Sequence, residues 1–426
     1  MLLLASVLLA YILFAQVVAA QSSPGGEAIV RAESAMDRQQ WLEAETILRQ
    51  LVAAEAKDAR AWFDLGYVMH AKENYAEAIV AYRGAVAAEP DSFECNLNLG
   101  LMLAHENYAE ASKYLEKATQ LKPTGEDPQA ALARAWASLA LEQDLRNPKS
   151  AVESWSHALE LAPGNPVHRF GLGEALERAG DTTGAEREFR KANELEPNST
   201  FALTALANFF VRAKRLPEAE ETLRRLASLA PKDENEHLQL GRVLSAEKRD
   251  AEAAAELRIA LDLRADDWDA LRELAFVQQR SKDYAAAENS YRTLLTQFAK
   301  DAELYEGLGS ALLSQLKYAE AKNKFMVCIR LKPEWGEAYG QLALAAAGNK
   351  EYEVAIKALD ERKERLAETA SSYFLRATCY DHLRQFGKAE DNYKAFLAAS
   401  HGQFPDDEWK ARHRLLAIEP EVRGKK

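Results

Sequence analysis

Ala59–Ser92, ARAWFDLGYVMHAKENYAEAIVAYRGAVAAEPDS, reads as two short helices joined by a tight turn. Trp62, Leu65 and Met69 stand at i, i+3 and i+7, which is one face of a first helix. Gly66 sits beside them and lets a neighbouring helix come close. The polar run His70–Asn74 breaks the pattern. Ala78, Tyr82 and Ala85 then mark the buried face of a second helix. Pro90 ends it, because proline has no N–H for the next helical bond.

The same pattern recurs along the chain. With Ala59 as position 1, the alanine at position 20 returns as Ala44, Ala78, Ala111, Ala151, Ala185, Ala219, Ala253, Ala287, Ala321, Ala355 and Ala389. From Ala151 onward every step is 34 residues. Position 24 is always large and apolar: Leu48, Tyr82, Leu115, Trp155, Phe189, Leu223, Leu257, Tyr291, Phe325, Leu359 and Tyr393. Position 8 is Gly or Ala, as in Gly66, Ala140, Gly241 and Gly309. Small residues at 8 and 20 let two helix backbones cross near the short end of the usual ~8–10 Å range. The large residue at 24 is expected to fill the space towards the next repeat. One such pair cannot bury its apolar face alone, so the pairs must stack.

The spacing W-x2-L-G-x2-Y…A-x3-F…P resembles the tetratricopeptide repeat, with Met69 in the Tyr place and Tyr82 in the Phe place. The resemblance covers nearly the whole chain. It implies an all-α fold, a right-handed α-solenoid of about eleven helix-turn-helix repeats closed by a C-terminal capping helix. The expected divisions are an apolar segment at 1–20, a linker at 21–26, repeats 1–3 at 27–125, an irregular joint at 126–131, repeats 4–11 at 132–401, a capping helix at 402–418 and a basic tail at 419–426. At the joint the step from Ala111 to Ala151 is 40 residues. There EDPQAA lengthens the link and DLRNP replaces the usual turn. This is either a surface-loop insertion or a bend between two blocks of repeats. In the capping helix, Trp409, Leu415 and Leu416 are expected to cover the open end of the stack.

Met1–Ala20 is apolar apart from Ser6 and Gln16, and Val18-Ala19-Ala20 has the small residues of a cleavage site. No Lys or Arg precedes the run, and its length nearly suffices to span a bilayer uncut. It fits a cleaved signal peptide or a retained anchor. Either reading puts the repeats outside the cytoplasm, exported or tethered, with membrane contact through that segment alone. Asn198-Ser199-Thr200 is a glycosylation sequon that matters only in a eukaryotic secretory pathway.

The formal charge of −12 over 426 residues argues against generic nucleic-acid binding, which needs a basic footprint. Cys95, Cys328 and Cys379 fall at packing positions without a C-x-x-C and read as small buried hydrophobes. The eight histidines are scattered, and His237 is placed to point into the stack. No H-E-x-x-H, G-x-S-x-G, Walker or EF-hand spacing occurs, so neither cofactor, metal nor catalytic residues are expected. Gly171-Leu172-Gly173 lies inside a helix and is a packing feature.

Function is therefore sought on the concave face. In the tetratricopeptide family, positions 2, 5, 9, 12 and 13 of the first helices point into the groove. The resemblance places Arg178, Arg212 and Arg280 at position 13, Arg242 at position 9 and Arg272 at position 5. Asn208 joins them, with Phe63, Tyr67 and Phe276 as aromatic anchors. Arginine grips carboxylates bidentately, so this set suits an acidic protein segment or a chain terminus. Neither the Lys/Asn carboxylate clamp nor the asparagine ladder known in the family is reproduced. The expected function is a non-catalytic scaffold that binds an extended or helical protein segment. The alternative is an accessory subunit of a cell-envelope assembly or secretion complex, using the convex face or an end of the array.

Overall fold

A computed structural model describes residues 24–125 and 127–423. The apolar segment at 1–20 lies outside them. The described residues form 23 helices and no strand. In chain order these are α1 (Pro24–Asp37), α2 (Trp41–Ala54), α3 (Ala59–Ala71), α4 (Tyr75–Ala88), α5 (Phe93–His105) and α6 (Ala111–Thr119). Next come α7 (Pro128–Asp144), α8 (Pro148–Leu161), α9 (Pro166–Arg178), α10 (Thr182–Leu195), α11 (Thr200–Arg212) and α12 (Leu216–Leu229). They continue as α13 (Glu234–Ala246), α14 (Asp250–Leu263), α15 (Trp268–Arg280), α16 (Tyr284–Gln297), α17 (Ala302–Ser314) and α18 (Tyr318–Leu331). The last are α19 (Gly336–Gly348), α20 (Tyr352–Lys363), α21 (Ala370–His382), α22 (Phe386–Ser400) and α23 (Pro405–Arg423). Odd-numbered helices to α21 are the first helices of repeats and even-numbered ones the second. The chain divides into two compact halves, with the boundary after Arg215.

Local chemistry sets the helix ends. Asp58, Ser92, Asn165, Asp233 and Asp301 accept backbone N–H bonds at the starts of first helices, as N-cap residues do. In ten of the eleven repeats the turn holds one left-handed residue at position 15, and the α7–α8 turn holds none. That residue is Gly180 once, at φ 91°, but Glu73, Lys248 and Leu316 stand there at φ 59°, 62° and 61°. A side chain in that conformation costs about 1–2 kcal/mol, so the turn geometry is imposed by the packing on either side.

That packing follows the repeat positions. All eleven alanines at position 20 are completely buried, as are or nearly so the eleven large residues at position 24. The position-24 side chain has two neighbours. One is position 8 of its own repeat: a Cβ on Gly66 would lie 2.7 Å from the Tyr82 ring, and one on Gly309 2.7 Å from the Phe325 ring. The other is position 6 of the following repeat. There a Cβ on Gly171 would lie 2.3 Å from the Trp155 ring, and one on Gly307 2.5 Å from the Tyr291 ring. Gly171 is thus a packing residue, and position 6 belongs to the seam between repeats. The three cysteines are buried and free, and burial pushes their thiols up to about 12, 11 and 12 for Cys95, Cys328 and Cys379.

Four features differ from expectation. Helix α1 starts at Pro24, so 24–26 of the expected linker are helical; proline suits a first turn because its missing N–H is not needed there. At the joint, Pro128–Ala131 extend α7 to 17 residues, with Asp127 as its cap, instead of lengthening a link. Helix α23 runs to Arg423, through Pro420 and past the predicted end at Ile418. Its buried face is Ala411 and Ile418 with Leu415 half-buried, the i, i+4, i+7 stripe. Trp409 and Leu416 fall off that stripe and are exposed, so they do not cover the end.

The second helices carry ladders of ion pairs. Arg224 reaches Glu220 at 2.7 Å and Glu252 of the next repeat at 2.8 Å; Arg292 reaches Glu288 at 2.8 Å and Glu320 at 2.9 Å. Each such exposed pair adds well under about 1 kcal/mol.

Candidate functional site on the first-helix faces

The groove positions are presented by helices whose other faces are locked in the stack. This holds the side chains in rows at the repeat spacing. Each predicted residue has a defined place within its own half.

In the N-terminal half, Arg178 pairs with Asp144 of the preceding repeat and lies 3.6 Å from Glu174. Burial lowers its pKa, and Arg212 adds to that. Arg212 in turn reaches back to Glu177 at 2.6 and 2.8 Å. Burial holds the Glu174 carboxyl above the usual carboxylate range. Asn208 is exposed and Tyr67 half-buried, its ring edge-on to Trp41 at 6.2 Å. Phe63 does not face a partner: it is fully buried, with its ring 5.6 Å from Tyr82. It is a core residue, and the aromatic anchor expected at that position is absent.

In the C-terminal half, Arg280 donates from Nε to both Asp250 oxygens at 2.8 and 3.0 Å, and from Nη2 to the Ser245 carbonyl at 2.7 Å. Asp250 and Ser245 belong to the preceding repeat. Arg272 pairs with Asp301 at 3.0 Å and stacks over Phe298. Arg242 is held more loosely, 3.5 Å from Asp269 and 3.7 Å from Glu273. Phe276 is 52% exposed, with the Arg280 guanidinium over its ring.

The five arginines are therefore ion-paired to carboxylates of the chain. Those at position 13 act as latches onto the preceding repeat. Sequence reasoning placed the arginines but missed the latch, because the partner lies some 30 residues upstream (|i−j| 30 for Arg280 and Asp250). The signal available was Asp250 at position 17, beside the turn the arginine must cross.

Beside Arg272 and Arg280 a cleft of about 630 Å³ opens between α15 and α17. Phe276, Tyr291, Leu304 and Trp335 wall it, and Gln279, Glu303 and Glu306 bring acceptors to it. A smaller cleft of about 240 Å³ sits at the same register two repeats on, at Gly340 and Leu344. Among the described residues no group of His, Cys, Asp and Glu could hold a metal ion. No helix among them is long and apolar enough to cross a membrane. His237 is buried and bonded to Glu256 at 2.8 Å, a stacking residue.

Comparison with known proteins agrees with this architecture. A tetratricopeptide-repeat family model matches residues 29–93, 141–200 and 277–322, and a second matches 176–243. Searching curated proteins by sequence gives no significant match. Among solved structures, the chain is similar to the C-terminal part of a TPR repeat-containing protein from Cytophaga hutchinsonii (18% identity, 54% of this chain and 95% of that one, TM-score 0.46). It is also similar to the APC/C hetero-tetramer Cut9–Hcn1 (14% identity, 93% and 97%, TM-score 0.40). A third is a tetratricopeptide repeat protein from Parabacteroides merdae (15% identity, 60% and 98%, TM-score 0.40). With its recurring helix pairs, its buried position-20 alanines and its matches to that family's models, the chain belongs to the tetratricopeptide-repeat family.

Proposed function

We propose that this protein is a non-catalytic scaffold that binds a protein segment along the groove positions of its first helices. The fold supports protein interaction in general. The cleft beside Phe276 is the observation that carries the groove reading: an aromatic side chain half open to solvent, in a concavity, at family groove positions. Arg242 is the cation best able to take a carboxylate from an acidic partner, since its own pairs exceed hydrogen-bond length. The more tightly held Arg178, Arg212, Arg272 and Arg280 would have to exchange an internal carboxylate for the partner's.

The test is capture of a partner from the source's own extract on immobilised full chain, followed by titration of that purified partner. Arg242→Ala should weaken binding roughly two- to fivefold, as expected of a half-exposed ion pair, and flatten its salt dependence. Unchanged affinity and salt slope would remove Arg242 from the site.

A second reading, an accessory subunit of an envelope or secretion assembly, draws on the last helix. Trp409 and Leu416 are 61% and 70% exposed there, and Leu416 lines a cleft of about 550 Å³. An end-on interface would protect Trp409 from solvent quenching when the partner binds. For location, we propose export or tethering through residues 1–20. N-terminal sequencing of the protein from its source should find either a start at Gln21 or an uncut Met1; an uncut, water-soluble protein would overturn both forms.

A further inference from the structure

The cleft between α15 and α17 has an imbalance of hydrogen-bonding groups. Its two arginines are already committed: Arg272 to Asp301 and the Phe298 face, Arg280 to Asp250 and the Ser245 carbonyl. Its acceptors are not. Glu303 and Glu306 have no ion-pair partner among the described residues, and Glu306 accepts one hydrogen bond, from Ser310 Oγ at 2.8 Å. Gln279 Oε1 is buried without a donor. Burial raises the Glu306 pKa above the usual carboxylate range, with the Glu303 charge adding to the effect. A half-buried carboxylate with no ion-pair partner, in a cleft whose two arginines are paired to other carboxylates, together with an acceptor without a donor, is an unsolved electrostatic arrangement.

The walls say what shape would solve it. Phe276 and Trp335 bring aromatic rings, each with a cation of the chain over one face (Arg280 at 5.2 Å and Lys332 at 4.9 Å from the centroid), and Leu304 a buried aliphatic surface. An occupant should bring an apolar stem and a head of donors with no acceptor. An acidic side chain fails on both counts. The acceptors are five oxygens spread over three separate side chains, Gln279 Oε1 and two each on Glu303 and Glu306, which rotatable donors can meet without the fixed geometry of an arginine's planar fork. An ammonium has three rotatable donors, no acceptor, and a four-carbon stem that packs along aromatic faces.

We propose that this cleft takes a lysine side chain of the protein segment bound along the groove. The proposal rests on the groove reading above and refines it. The segment need not be acidic throughout: it carries a lysine where it crosses Phe276.

The experiment is panning of a random dodecapeptide display library on immobilised full chain, in parallel with Glu306→Gln and Glu303→Gln. Glu306→Gln is nearly isosteric. Glu303 is exposed, so its variant keeps the test valid should the first not fold. Lysine is expected at one peptide position at about tenfold over its library frequency on the parent, dropping to near background on Glu306→Gln and falling on Glu303→Gln. Peptides selected without a lysine position, or a lysine equally enriched on both variants, would overturn the lysine site and leave groove binding standing. Recovery of no peptide from the parent would count against both.

Discussion

Replacing Trp155 with alanine is expected to cost about 3–5 kcal/mol and to lower and broaden unfolding of the N-terminal half. Trp155 is among the largest fully buried side chains. Its indole occupies the space a side chain at Gly171 would need and packs 6.0 Å from the His168 ring. Removing it empties the seam between the α7/α8 and α9/α10 repeats. In a stacked array stability is a sum of repeat terms and nearest-neighbour terms, so loss of one seam uncouples the repeats on either side. Circular dichroism during heating or urea titration would read this directly. A melt superimposable on the parent's would mean that the seam collapses onto the gap, and that Trp155 is not its wedge.

Asp64→Asn is expected to act in the opposite direction and to depend on pH. Asp64 occupies position 6, where Gly171 and Gly307 stand in other repeats, and is 3% exposed. Its Oδ2 has no hydrogen-bond partner. Burial raises its pKa from 3.8 to about 8, with Glu33 adding to the rise, Arg60 opposing it and Asp58 adding slightly. Between those two values the unfolded chain releases a proton that the folded chain keeps. The folded state is therefore most favoured below about pH 4, loses stability as pH rises towards 8, and levels off beyond. A shift of that size corresponds to about 6 kcal/mol over the window. An amide at the same place titrates nowhere but still lacks a partner, at about 1–3 kcal/mol. The variant should thus match the parent near pH 5 and exceed it by roughly 2–4 kcal/mol at pH 8. Urea titrations at the two pH values decide it; equal stability differences at both would show that Asp64 ionises normally within the fold.

Those two residues mark how far the fold could be read from the chain. Packing at positions 8, 20 and 24 was legible because it depends on side-chain size at a fixed period, and periods survive in a single sequence. The presence of the final helix was legible for a similar local reason, though not its end at Arg423 or the exposure of Trp409 and Leu416. Position 6 was not, because its requirement is set by the preceding repeat: glycine is needed opposite Trp155 and Tyr291, while Asp64 fits opposite Leu48. The groove was half legible. Register gave Arg242, Arg272 and Phe276 their face, but no local rule reveals that Arg280 is claimed by Asp250 or that Glu306 is claimed by no cation. Such pairings are settled across repeats by rotamers, and they decide what charge a partner meets. The buried ring of Phe63 shows the converse: a position that the family resemblance assigns to the groove joins the core here, against Tyr82.

The agreement between position 24 and the following position 6 has a consequence for how this chain can change. Arrays of this kind are readily imagined as beads that recombination may add, drop or shuffle. Here the beads are keyed. Excision of residues 166–199, a clean 34-residue loss, would bring Trp155 against Ala205 in place of Gly171, where a Cβ would lie 2.3 Å from the indole, and jam the joint. Excision of 268–301 would set Leu257 against Gly307 and leave a hole where a tyrosine had been. Exchange of whole repeats would therefore be tolerated chiefly when a repeat travels with the neighbour it was fitted to. The heritable module in this protein is not the 34-residue motif but the junction, and its order along the chain is itself encoded.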